Sequence, residues 1–213
     1  MASGRVIGQI YNLKIQYNFV REMSDMAILI LGMLFFAGPH LVSSLALAQR
    51  DRLKALFGEG AYKGIYSLVS LIGVVLMIYA YWTTRDSGDM LYAPSGTMRH
   101  ATMGIATLGI ILISASYGKS HVRLWLQNPF SIGIALWAVG HLLSVGKFAA
   151  DWFWLTVLTV ALLDIVVSMA RGQKPEFQPS WRSDIIAVVV GLVLTGLLVS
   201  LFHPYVLGVR LAG

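Results

Sequence analysis

Six long apolar stretches follow one another along the chain, and short polar segments separate them. Each is long enough, or nearly so, to cross about 30 Å of hydrocarbon as a helix. A helix satisfies its own backbone hydrogen bonds within one segment, as lipid requires. The pattern therefore predicts an all-α fold, a polytopic membrane helix bundle of about six transmembrane helices. These lie near residues 26–47, 64–83, 101–117, 129–149, 152–170 and 185–205.

The ends of these stretches predict the turns between helices and the limits of the membrane domain. The third stretch is short and is extended at its start by residues 98–100, and a tight turn near Lys147 to Asp151 separates the fourth from the fifth. Residues 23–213 are expected to form one transmembrane domain. Residues 1–22 have no continuous apolar core, so they are not a signal peptide. They are either an N-terminal extension ahead of a start at Met23, or a surface helix or arm.

Composition supports a place in the lipid bilayer. Hydrophobic residues make up 57% of the chain and charged residues 12%, against about 25% charged residues in soluble domains. The net charge of +6 is expected to come from Lys and Arg in cytoplasmic loops. It does not indicate nucleic-acid binding. With no cysteine, the chain has no disulfide, cysteine-ligated zinc, iron–sulfur cluster or cysteine nucleophile.

The distribution of Lys and Arg predicts the orientation. The loops after the first, third and fifth stretches hold nine of these residues, and the other side holds four without residues 1–22 or seven with them. Positive residues favour the cytoplasm, so both termini are expected outside.

His40 and His141 lie well inside the first and fourth stretches. Ionisable side chains at such depth are costly and usually functional. Their positions correspond to roughly 10 and 18 Å below the cytoplasmic surface, an offset that lets two helices hold one cofactor edge-on. Two axial imidazoles suit a haem iron, whereas a zinc ion needs three or four ligands. The alternative is that both imidazoles are hydrogen-bonding links between helices.

Asp164 is the other ionisable residue deep in an apolar stretch. A ligating histidine usually donates its second ring N–H to a carboxylate or carbonyl, so Asp164 is a candidate partner of His40. Alternatively it pairs with Arg171. Pro39 removes a helix hydrogen bond and is expected to kink the first helix beside His40. The remaining histidines, His100, His121 and His203, are expected to be interfacial or loop residues.

Three segments resemble the NnrU family of bacterial membrane proteins. They are "GMLFFAGPHLVSS" in the first stretch, "GEGAYKGIYSLVSLIGVVLMIYAYW" in the second, and "LQNPFSIGIALWAVGHLLSVG" in the fourth. The family is named for genes near those of nitrite and nitric oxide reduction, and it includes as a relative the plant 15-cis-zeta-carotene isomerase, which holds haem b. The resemblance implies haem b ligation at the positions of His40 and His141, and it implies a place in the bacterial inner membrane.

The chain departs from those relatives at two places. Gln127 and Asn128 stand where relatives have Arg and His of an Arg-His-Pro motif, and Tyr81 or its neighbours replace another histidine. Isomerase activity therefore does not carry over directly. The same motif occurs in membrane methyltransferases of the isoprenylcysteine and methanethiol type, but uncharged Gln127 and Asn128 would hold a cofactor carboxylate poorly.

The sequence thus leaves three functions open. The first is a haem b protein with a redox-linked role, either as a polyene cis-trans isomerase or in denitrification, acting on an apolar small molecule. The second is a non-enzymatic accessory membrane protein, and the third is a methyltransferase. Whether the protein is an enzyme, its substrate and its oligomeric state are not determined by the sequence.

Overall fold

The structure, a computed structural model, describes residues 2–85, 90–172, 174–209 and 211, with side chains from residue 12 onward. Its first helix, α1 (Ala2–Leu45), is 44 residues long. Residues 2–22 are therefore helical and run without a break into the first membrane segment. The side chains of residues 12–24 are exposed, among them Leu13, Tyr17 and Phe19. Helix α1 continues through Pro39 as far as Leu45.

The described residues are 84% helical and form no strand, which confirms the prediction of a helical membrane bundle. After α1 the elements are α2 (Leu47–Phe57), α3 (Glu59–Thr84), α4 (Gly96–Ala115), α5 (His121–Leu126), α6 (Pro129–Ser144), α7 (Phe148–Ala170) and α8 (Trp181–Leu197). Helix α8 continues directly as a π-helical segment, Leu198–Leu207.

In the described part of the chain, five helices are long and apolar enough to cross a membrane: α1 from Asn12, α3, α4, α7, and α8 with its π-helical segment. The sixth, α6, is apolar but has only 16 residues, which corresponds to about 24 Å. The fourth stretch is thus shorter than the predicted 129–149. The helix ends because Gly146 has a φ of +65°, a left-handed conformation. Asp151 belongs to the first turn of α7 and not to the turn.

Close approaches at glycine hold the bundle together. A Cβ atom on Gly109 of α4 would lie 2.6 Å from the carbonyl oxygen of Gly133 on α6. A Cβ on Gly32 of α1 would lie 2.7 Å from Met77 Cγ on α3. Lipid offers no hydrophobic driving force between helices, so small residues that let two backbones approach supply the packing energy instead.

Two ends of the bundle matter for the site. The Asp164 end contains the C-terminal parts of α1 and α7 and the N-terminal part of α6, where Arg171 donates a 2.5 Å hydrogen bond to the carbonyl of Ser44. The His203 end contains the last residues of α3 and α6 and the π-helical segment. There Trp82 Nε1 donates to the carbonyl of Val206 at 3.1 Å.

Candidate functional site

His40 lies on α1 near the Asp164 end. Its Nδ1 is 2.7 Å from the carbonyl oxygen of Phe36, one turn earlier. A carbonyl only accepts hydrogen bonds, so Nδ1 carries the proton and the Nε2 lone pair is available. The ring lies between Phe36 and Tyr66, with centroid separations of 4.6 and 5.0 Å. An apolar cavity of about 230 Å³ adjoins this region, lined by residues that include Pro39, Tyr62 and Tyr66.

Asp164, on α7, is the centre of a polar cluster within the bundle. Its carboxylate accepts hydrogen bonds from Ser131 Oγ at 2.5 Å, from Asn128 Nδ2 at 3.0 Å and from Ser44 Oγ at 3.4 Å. Ser44 belongs to α1, and Asn128 and Ser131 belong to the start of α6. The carboxylate therefore joins three helices. A buried carboxylate needs such donors, since an unpaired one would carry a large desolvation cost.

Neither predicted partner of Asp164 donates to it among the described hydrogen bonds. The ring proton of His40 goes to Phe36, and the guanidinium of Arg171 goes to the carbonyl of Ser44. Asp164 is nevertheless close to His40 along the bundle, because Ser44, which donates to the carboxylate, lies one helical turn after His40 on α1. The sequence analysis did not identify the serine and asparagine side chains that donate to Asp164. Ser and Asn are common residues, and their partners depend on helix packing.

Asn128 is fully engaged in holding the start of α6. Its side-chain oxygen accepts from the backbone N–H of Ser131 at 3.2 Å, which is an N-cap. Its amide nitrogen donates to Asp164 at 3.0 Å and to Ser168 Oγ at 2.9 Å. A cavity of about 270 Å³ lies beside it, lined by Leu126, Gln127, Asn128, Ile132, Ile165, Ser168 and Met169. Asn128 thus has a structural role here.

His141 lies near the opposite end of α6. Its Nδ1 is 2.8 Å from the carbonyl oxygen of Trp137, so this ring too is held with Nε2 available. The imidazole stacks on Trp154 of α7, with centroids 3.8 Å apart and planes 19° apart. Trp137 meets it edge-on at 5.5 Å. Aromatic side chains therefore fix the orientation of the ring on two sides.

His203, which the sequence analysis assigned to the interface, is the histidine that the fold brings to His141. The two ring centroids are 6.1 Å apart and the planes differ by 13°. His203 Nδ1 is 2.7 Å from the carbonyl oxygen of Leu198, within the π-helical segment. The "HP" pair at His203 and Pro204, in an apolar stretch, was a signal that could have drawn attention to it, because "PH" at Pro39 and His40 had done so.

The described contacts do not bring His40 and His141 together. Ser44 and Ser131 both donate to Asp164. His40 precedes Ser44 by four residues on α1, about 6 Å of helix, and His141 follows Ser131 by ten residues on α6, about 15 Å. No described ring contact or hydrogen bond joins the two imidazoles. His141 and His203, by contrast, are adjacent, with ring centroids 6.1 Å apart.

Among the described residues, no three His, Asp or Glu side chains are grouped so that they could hold one metal ion. A structural zinc site needs about four protein ligands, and a catalytic one needs about three. Haem iron needs one or two, because the macrocycle supplies the other four. The donor set within the described part of the chain therefore suits haem better than a bare zinc ion.

His121 has a separate, structural environment at the Asp164 end. Its Nδ1 lies 2.6 Å from Asp184 Oδ2, and its backbone N–H donates to Asp184 Oδ1 at 2.9 Å. The ring stacks on Trp181 at 4.4 Å. These contacts tie the start of α5 to the first turn of α8.

Comparison with known proteins identifies the family of the chain. No curated protein and no solved structure matches it. A family model described as "NnrU protein" matches residues 28–211, which include the C-terminal part of α1 and all of α2 to α8. The match covers most of the chain and includes His40, His141 and His203, and we conclude that this integral membrane protein belongs to the NnrU family.

Proposed function

We propose that this NnrU family protein binds haem b inside the bilayer and has a redox-linked role in the bacterial inner membrane. The observation that carries the proposal is the environment of His141. Its Nδ1 proton is held by the Trp137 carbonyl and its Nε2 is left available. Ligating histidines are normally oriented in this way by a second-shell acceptor.

The surroundings of His141 suit a low-dielectric redox site. Trp154 covers one face of the imidazole and Trp137 meets its edge. These rings limit access of water, and the bilayer supplies the rest of the apolar shell. When bound, haem b would supply a one-electron couple whose potential depends on the axial ligands and on the polarity around them. The part of this chain is to hold and orient the imidazole and to keep the site dry.

The Asp164 cluster has a supporting part in this proposal. It fixes α6 relative to α1 and α7 through hydrogen bonds to Ser131, Asn128 and Ser44. Helix α6 is short, and His141 lies 13 residues beyond its N-cap, Asn128. The position of His141 therefore depends on where the cluster anchors the start of the helix. His40 and Asp164 remain candidate residues for the cofactor, because they lie close together along the bundle.

The redox role has two candidate forms. One is cis-trans isomerisation of a lipid-soluble polyene, for which the apolar cavity beside His40 gives an entry for an apolar molecule. The other is electron transfer or sensing linked to nitrogen oxides in denitrification. The methyltransferase alternative has less support, because the Asn128 amide is already used by Asp164 and Ser168.

A visible absorption spectrum tests the proposal. The full-length protein would be expressed with added haem, purified in detergent, and measured in the oxidised and the dithionite-reduced form. We expect a Soret band and sharp reduced α and β bands, and their loss in His141→Ala. His40→Ala, measured beside it, tests the ligand assignment made from the sequence. A colourless protein would contradict the proposal, and the histidines would then be links between helices.

A further inference from the structure

We infer that His203 is the second axial ligand of the haem iron held by His141. This inference rests on the proposed function and deepens it. It assigns the second ligand to His203, near the C-terminal end of the chain, instead of to His40. The two imidazoles come from α6 and from the π-helical segment Leu198–Leu207. Three independent features of the structure carry the assignment: the spacing of the rings, their tautomers and the backbone that holds His203.

The spacing of the rings matches that of two imidazoles on opposite sides of one iron. With metal–nitrogen bonds of about 2.0 Å and centroids about 1.2 Å beyond each nitrogen, the two centroids would be about 6.4 Å apart. The observed separation is 6.1 Å. Direct face-to-face stacking of two rings, such as that of His141 on Trp154 at 3.8 Å, would bring the centroids much closer. The gap between the two histidines is thus the size that one metal ion fills.

Both rings present the nitrogen that such a site needs. The Nδ1 atoms lie 2.8 and 2.7 Å from the backbone carbonyls of Trp137 and Leu198. Each carbonyl fixes a proton on Nδ1, so both rings have a lone pair on Nε2. The described hydrogen bonds leave these two Nε2 atoms without a partner. A carbonyl behind each ligating imidazole is the usual second shell of a metal site.

The backbone around His203 is unusual in a way that favours a site. π-Helical backbone is rare, and it is found mostly at functional positions. Pro204 has no N–H and its ring disturbs a regular helix, so the preceding carbonyls need other donors. Separately, His203 Nδ1 donates to the carbonyl of Leu198, five residues back, which fixes the ring against its own helix. At the end of the segment, Trp82 of α3 binds the carbonyl of Val206 at 3.1 Å. These contacts hold His203 at the depth of His141.

The assignment has a chemical consequence. An iron with two histidine ligands has no open position, which favours electron transfer over substrate binding unless one histidine leaves. Of the two, His203 lies on the less regular backbone. Catalytic access to the iron would therefore be controlled by the π-helical segment.

The test compares three single variants of the full-length protein: His203→Gly, His40→Ala and the control His100→Ala, in which an exposed histidine on α4 is replaced. Each would be expressed with added haem and purified in detergent. Absorption spectra and ferric EPR spectra report whether the iron is low-spin with two nitrogen ligands or high-spin with one. Gel filtration and circular dichroism report whether each variant is folded.

We expect low-spin spectra for the parent protein, His40→Ala and His100→Ala. His203→Gly is expected to be high-spin and to return to low-spin when imidazole is added, which separates a lost ligand from a lost fold. A high-spin His40→Ala protein, or a folded His203→Gly protein that stays low-spin without imidazole, would overturn the inference and leave haem binding intact. A parent protein without haem would overturn both.

Discussion

The imidazoles of His141 and His203 lie nearly parallel, with centroids 6.1 Å apart, although they come from the fourth and the last membrane segments. Each is fixed by a carbonyl of its own helix, so neither ring relies on the other for its orientation. This arrangement leaves both Nε2 atoms available, as the proposed haem site requires. Two imidazoles that served only as helix links would instead donate to a neighbouring helix.

Replacement of Trp154 is expected to weaken haem retention without changing the ligands. In Trp154→Leu the face of His141 loses its stacking partner, an interaction worth about 0.5–1.5 kcal/mol beyond the buried area. We expect a lower haem-to-protein ratio and a low-spin spectrum. The matched control is Trp152→Leu, because Trp152 lies two residues away on the same helix and is 41% exposed. Equal haem loss in both variants would contradict the role given to Trp154.

Removal of the Ser131 hydroxyl is expected to destabilise the bundle. Ser131 donates the shortest of the hydrogen bonds to Asp164, at 2.5 Å, and a hydrogen bond to a charged group contributes about 1.5–3 kcal/mol. Ser131→Ala should therefore lower the free energy of unfolding by about 1–3 kcal/mol, measured by denaturant titration in detergent.

Ser144→Ala serves as the control for this change. Ser144 lies on the same helix and makes only 3.4 Å contacts with carbonyls of its own helix. Its loss should change the free energy of unfolding by less than about 0.5 kcal/mol. If the two serine variants were equally stable, the carboxylate of Asp164 would not depend on Ser131.

A methyl group on Gly109 is expected to separate α4 from α6. It would lie 2.6 Å from the carbonyl oxygen of Gly133, where backbone cannot move away easily. Overpacking of this kind costs about 1–3 kcal/mol, and we expect Gly109→Ala to lower the midpoint of thermal unfolding. Gly104→Ala, on the same helix, meets nothing within 4 Å and should be neutral or slightly stabilising. A Gly104→Ala protein as unstable as Gly109→Ala would refute the close approach.

The turn between α6 and α7 gives a further prediction. Gly146 has a φ of +65°, and a Cβ there would contact the carbonyl oxygen of Tyr92. The peptide at Gly146 is also tied to that loop, because its carbonyl accepts from the Leu91 N–H at 2.8 Å. Gly146→Ala should thus combine a conformational cost of about 1–2 kcal/mol with steric displacement of the loop.

Gly172→Ala separates these two contributions. Gly172 has a similar φ of +60° but meets nothing within 4 Å, so only the conformational cost applies there. Thermal unfolding of both variants in the same detergent measures the difference. If Gly172→Ala lost as much stability as Gly146→Ala, the contact with Tyr92 would contribute nothing.

For Asp164, the sequence predicted that the carboxylate has partners but not which residues these are. The cost of a carboxylate in an apolar helix required that Asp164 have partners, and this could be stated from the sequence. Which partners these are depends on the rotation of α6 and α7 about their axes. That rotation places Ser131 and Asn128 at the carboxylate and directs Arg171 to the carbonyl of Ser44.

The sequence by itself determined the membrane bundle, because about 20 apolar residues must form a helix in lipid whatever their neighbours are. It also marked His40, His141 and Asp164, since ionisable groups at such depth are rare. Only the tertiary structure decided that His203 and not His40 lies beside His141. Helix rotation, the glycine contacts of α4 with α6 and the π-helical backbone at Pro204 fix that neighbourhood. None of these follows from the hydropathy of a single segment, because each depends on contacts between segments far apart in the chain.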